Sequence, residues 1–156
     1  MNVEVTTYIR CYEGSLRRIT LPSTLESLGH GAFIATKVGE EIQLSPDFNI
    51  PEMISTIENG AFEGISARIA CVSTNWNRPV QIGNRAFADC KKLKYFIFEG
   101  EEPESLNIAG DAFDGCNSDL IFMSGFINTS LNEKVKQYAL DHGFQYIEDE
   151  QFWGNG

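Results

Sequence analysis

The chain has 156 residues, 42% of them hydrophobic and 22% charged, a balance that suits one soluble globular unit. Its formal net charge is -10, from 22 acidic against 12 basic residues, which argues against nucleic acid or an anionic membrane as the main partner, since both need clustered Lys and Arg. No apolar run approaches the roughly 20 residues that span a bilayer. Met1 to Arg10 lacks the basic-then-apolar order of a signal peptide, so the chain reads either as intracellular or as a piece of a longer exported protein.

In chain order, Val3 to Tyr12 alternates as a strand, and Leu16-x-x-Ile19-x-Leu21-Pro22 opens a series of related segments. Leu28-Gly-His-Gly-Ala-Phe33 is followed by Ile57-Glu-Asn-Gly-Ala-Phe62, Ile82-Gly-Asn-Arg-Ala-Phe87 and Ile108-Ala-Gly-Asp-Ala-Phe113, with the phenylalanines 29, 25 and 26 residues apart. Three residues after the later phenylalanines come Ile65, Cys90 and Cys116. A short alternating stretch then predicts a strand with one buried face, with inward pairs at Ile42 and Leu44, Ile69 and Cys71, Phe96 and Phe98, and Leu120 and Phe122. Ser45 to Ser55 reads as an insertion, and Val72 to Val80, which holds Trp76, as an irregular stretch. Ser130-Leu-Asn-Glu133 has capping-box spacing, so Ser130 is the expected N-cap of a helix that buries Leu131, Val135, Tyr138 and Ala139 and stops at Gly143. Phe144 to Ile147 predicts a last strand.

A copy of roughly 25 residues cannot bury its own apolar face, whereas stacked copies can. Stacking puts the phenylalanines in an interior ladder and pairs successive strands in parallel in one continuous sheet. The alanine before each phenylalanine is small because the next coil comes close there. The whole of 1–156 is expected to be one solenoid domain, with an N-terminal cap at 1–15, repeats at 16–123, a C-terminal cap at 124–147 and a frayed tail at 148–156.

The Leu21-Pro22 step, the Ile82-Gly83 step and the Ala-Phe-x-x-Cys steps (Ala86 to Cys90, Ala112 to Cys116) resemble the BspA-type leucine-rich repeats of bacteria and some protozoa, over about Leu16 to Met123. The resemblance implies an α/β leucine-rich repeat solenoid, right-handed, with a parallel sheet on one face, short helical turns elsewhere and a C-terminal capping helix. It also implies a surface or secreted protein that binds other proteins if the chain is part of a longer one, and a cytoplasmic protein otherwise. Ile65 stands where the pattern has Cys.

Residue types that carry chemistry do not assemble into a motif. Cys11, Cys71, Cys90 and Cys116 have neither C-x-x-C nor any metal-ligand spacing, and His30 and His142 are far apart, so free thiols and no metal or other cofactor are expected. Gly29-x-Gly31 lacks the third glycine of a dinucleotide loop. Adjacent acidic pairs such as Glu40-Glu41 would point to opposite faces of a strand, and so make no acid/base dyad. The residues flanking each inward pair should face out: Arg18 and Thr20, Glu41 and Gln43, Arg68 and Ala70, Tyr95 and Ile97, Asp119 and Ile121. In that row Tyr95, Ile97 and Ile121 make an exposed apolar patch, and such patches mark interaction sites. Trp76, between two asparagines, is a second anchor candidate. The expected function is that of a non-catalytic module presenting its sheet to a protein partner. The alternative is a structural spacer or adhesin segment of a bacterial cell-surface protein.

Overall fold

A computed structural model describes residues 27–28, 48–50, 55–65, 67–75, 78–126 and 129–148. They form nine strands and one helix in the order β1 (Ser27–Leu28), β2 (Phe48–Ile50), β3 (Thr56–Ile57), β4 (Ile69–Thr74), β5 (Val80–Ile82), β6 (Tyr95–Gly100), β7 (Leu106–Ile108), β8 (Ile121–Ser124), α1 (Thr129–Asp141) and β9 (Gln145–Glu148). Up to β8 the odd and even strands separate into two parallel sheets, β1-β3-β5-β7 and β2-β4-β6-β8, and β9 extends the second of them beyond β8. This corrects the expectation of one sheet. The aliphatic residue that opens each motif (Ile57, Ile82, Ile108) belongs to the four-stranded sheet, whose strands of two or three residues are too short to show a period.

Between the sheets each copy makes a tight turn, and the turns stack by backbone hydrogen bonds that run one way along the chain. Gly60, Phe62 and Gly64 donate to the carbonyls of Asn84, Ala86 and Ala88 at 2.8–2.9 Å. One coil later Phe87 and Asp89 donate to Ala112 and Asp114, while the Arg85 N–H reaches the Asp111 carboxylate. The alanines 61, 86 and 112 are fully buried, as coils this close demand. Inside the ladder the rings of Phe62, Phe87 and Phe113 stack face to face, with centroids 5.2 and 5.3 Å apart and planes within 9° and 7°. Phe96 meets Phe87 and Phe113 edge-on, Phe122 meets Phe113 edge-on, and the two lie tilted against each other, so the core is an aromatic column.

The five-stranded sheet keeps its alternation, but the register of β4 is one residue away from the expected one. Ala70, Val72 and Thr74 face the core, and Ile69, Cys71 and Ser73 face out. Both sets hold apolar residues, so β4 alone cannot choose a face. Parallel pairing chooses it: Ala70 lies opposite Phe96 and Val72 opposite Phe98, where large rings leave room for small partners. The segment expected to be an insertion contains β2, which pairs Phe48 with Ala70. The pair Ile42 and Leu44 lies outside the described residues. The stretch expected to be irregular holds the end of β4 and the start of β5.

Helix α1 begins one residue before the expected N-cap, so Ser130 lies within it. Asn132 instead ties the helix to the preceding segment, its side chain accepting from the Phe126 N–H at 2.9 Å and donating to the Phe126 carbonyl at 2.6 Å. At the other end Gly143 has φ 79°, and Phe144 and Gly143 donate back to Ala139 and Leu140, a glycine-terminated stop that satisfies two of the last helical carbonyls. Val135 and Ala139 enter the core, and β9 pairs in parallel with β8.

Candidate functional site

The outer face of the five-stranded sheet carries the candidate residues. Pairing aligns Ile69, Tyr95 and Ile121 in one row and Cys71, Ile97, Met123 and Ile147 in the next. The structure thus brings Tyr95, Ile97 and Ile121 together, in a second apolar cluster with Met123 at its centre. Their exposure is corrected. Ile97 is 6% and Ile121 7% exposed, Met123 is fully buried, and Tyr95 is half-buried, as are Ile69, Cys71 and Ile147. Ala70, expected outside, lies in the core. The sequence pattern does not mark Met123, Ile69 and Ile147 as outward, because both alternating sets in β4, β8 and β9 hold apolar residues. Trp76 lies outside the described residues.

The inner face holds the polar side chains that the core must satisfy. The Thr74 hydroxyl lies 3.0 Å from the Glu99 carbonyl and 2.5 Å from that of Glu101, and the Ser124 hydroxyl lies 2.8 Å from the Tyr146 hydroxyl. On the turn side Arg85 bridges Glu63 at 2.8 Å and Asp89 at 3.0 Å, linking neighbouring coils on a half-exposed surface.

The equivalent thiols Cys90 and Cys116 each donate to the carbonyl of a phenylalanine one coil back, Phe62 at 3.3 Å and Phe87 at 3.1 Å. They are interior packing groups with a satisfied hydrogen bond, and among the described residues Cys71, Cys90 and Cys116 form no disulfide. Thiol titration of the denatured, unreduced protein is expected to count four; a count of zero or two would show a disulfide. Burial pushes the Cys90 thiol well above its ordinary value. Burial, and then the carboxylates of Asp114 and Asp111, raise the Tyr138 phenol. For Tyr138 the unfolded chain releases its proton first as pH rises, so the stabilisation is whole below the unfolded pKa and shrinks above it. The melting temperature is therefore expected to fall as pH climbs past about 10, the ordinary phenol value. Tyr138→Phe should flatten the upper part of that curve, and an unchanged curve would assign the fall elsewhere.

A small cavity of about 280 Å³ lies where the turn ladder meets the end of α1, lined by Phe113, Gly115, Cys116, Tyr138, His142 and Phe144 among others. Its histidine stacks on Tyr138 with centroids 4.0 Å apart, and its Nδ1 lies 2.7 Å from the Tyr138 carbonyl. No group of three or more His, Cys, Asp or Glu among the described residues is placed to hold a metal. No helix among them is long and apolar enough to cross a membrane.

Compared with known proteins, the chain matches a family model described as a BspA type leucine rich repeat region, in six copies over residues 4–140. No curated protein and no solved structure matches it.

Proposed function

We propose that this chain, which belongs to the BspA-type leucine-rich repeat family, is a non-catalytic protein-binding module, a right-handed solenoid that offers the outer face of its five-stranded sheet to a protein partner. The family's repeats are often used for protein interaction or surface adhesion and are generally non-catalytic. The observation that carries the reading is the apolar stripe crossing four adjacent strands, from Ile69 and Cys71 through Tyr95, Ile97, Ile121 and Met123 to Ile147. In a chain of net charge -10 such a stripe does nothing for solubility, and a long shallow sheet suits a protein better than a small molecule. The partner engages first the half-buried members, Tyr95, Ile69, Cys71 and Ile147. Placement at a bacterial cell surface or in a secreted protein accords with the family.

A second reading, a structural spacer or adhesin segment, draws on the near-complete burial of Ile97, Ile121 and Met123, which is what a face already closed by its own protein would show. A photo-crosslinking residue at Tyr95, compared with one at the exposed Lys91 on the turn side, separates the two. Binding through the sheet gives a crosslinked partner from Tyr95 that is lost in an Ile69→Ser background and does not form from Lys91. Equal yields from both positions, or none from Tyr95, favour the spacer. Ile97→Asp is unsuited to this test, because at 6% exposure it would bury an unpaired charge.

A further inference from the structure

The turn ladder has a direction, and that direction leaves its last rung open. In the first described rung Phe62 and Gly64 donate their N–H groups to the following coil; in the second, Phe87 and Asp89 do the same. The equivalent positions of the third rung are Phe113 and Gly115, and among the described residues no fourth turn follows them. The chain there enters α1 and β9 instead, which extend the sheet but not the turns. Among the described residues the N–H groups of Phe113 and Gly115 meet no acceptor, although Phe113 is 1% exposed. Gly115 is exposed, but a buried backbone donor without a partner, as at Phe113, is rare and calls for an explanation. Both residues line the 280 Å³ cavity, together with the rings of Tyr138 and Phe144 and the backbone of Gly110.

We propose that this cavity is a peptide-binding site, in which a segment of a partner chain lies on the open rung as a further turn and gives two backbone carbonyls to the N–H groups of Phe113 and Gly115. The spacing of the acceptors is set by the rung below, where the carbonyls of Ala112 and Asp114, two residues apart, receive Phe87 and Asp89. The residue between those carbonyls is Phe113, so an apolar or aromatic side chain at the middle position fits, with Phe113, Tyr138 and Phe144 as its surroundings. Neutral carbonyls suit the site better than an anion. No Lys or Arg lines it, Asp114 does, and Asp111 stands beside it. The carboxylates of Asp114 and Asp111 make the surroundings negative and favour a segment carrying positive charge. Main-chain pairing of this kind gives affinity without a deep pocket. The site is separate from the sheet face and stands independently of binding there.

The test uses the full 15N-labelled chain and an acetylated, amidated heptapeptide copying residues 84–90, with serine for the cysteine and lysine for the aspartate. The Phe113 and Gly115 amide protons are expected to move downfield, saturate, and exchange more slowly with solvent. Gly110→Leu should weaken the binding at least about tenfold by filling the cavity mouth. A side chain begun at Gly110 meets only the His142 Nε2, at 3.9 Å, so the fold should persist; unchanged Phe62 and Phe87 amides would verify this. Ser118→Trp, at the exposed edge of the same cavity, is a second block that does not depend on Gly110. The proposal is overturned if millimolar peptide leaves both amides unmoved, if the shifts persist in both blocked variants, or if saturation is confined to the sheet face. That last result would support the sheet-face reading alone, whereas shifts at the rung without sheet-face crosslinking would support this site alone.

Discussion

Phe87→Ala is expected to cost roughly 3–5 kcal/mol of unfolding free energy, the range for emptying a large aromatic site in a packed core. Phe87 is the middle described ring of the ladder. Phe62 and Phe113 cover its two faces at 5.2 and 5.3 Å, and Phe96 meets it edge-on at 4.9 Å. The backbone around it is held on both sides by hydrogen bonds, from Phe62 to Ala86 and from Phe87 to Ala112, so neighbouring coils cannot collapse into the void. A domain's total stability is about 5–15 kcal/mol, so the loss takes a large share of it. Urea unfolding measures it directly, and a change below about 1 kcal/mol would mean that the ring column is not the core. Phe87→Leu, which refills part of the space, should recover a substantial part of the loss.

Gly100→Val is expected to destabilise by about 3 kcal/mol or more, through backbone rather than packing. Gly100 closes β6 with φ 113°, a conformation that L side chains rarely adopt, and a Cβ there would stand 2.5 Å from the Thr74 carbonyl oxygen of the paired strand. That oxygen cannot swing away like a flexible side chain, because Thr74 is paired with Gly100 in the sheet and its hydroxyl bonds the carbonyls of Glu99 and Glu101 on either side. The melting temperature should fall by about 10 °C for a chain of this size. Gly110→Ala is the control: its methyl group would meet nothing closer than 3.9 Å, so its effect should stay within about 0.5 kcal/mol. Similar losses in the two variants would show that glycine's flexibility matters less here than any substitution in the turns.

The sequence by itself determined the repeat, its period and its interior. Phenylalanines 25 and 26 residues apart with an alanine before each admit one arrangement, in which coils stack closely enough to bury those alanines and to bring the rings face to face. It determined the inward faces of β6 and β8 as well, because Phe96, Phe98 and Phe122 are too large to be left in water. It marked the helix stop at Gly143, where local backbone chemistry suffices. Tertiary structure decided what depends on neighbours distant in the chain. The face of β4 was open in Ile-Ala-Cys-Val, since both alternating sets are apolar, and was settled by the rings of Phe96 and Phe98 lying opposite. The second sheet rests on strands of two or three residues that gain their order from pairing with the coils on either side. Burial of Ile97 and Ile121 follows from surroundings that no window of sequence contains. The unpartnered amides of Phe113 and Gly115 have no side-chain signature at all: every peptide carries the same donor, and only the place where stacking ends decides which donors lack an acceptor.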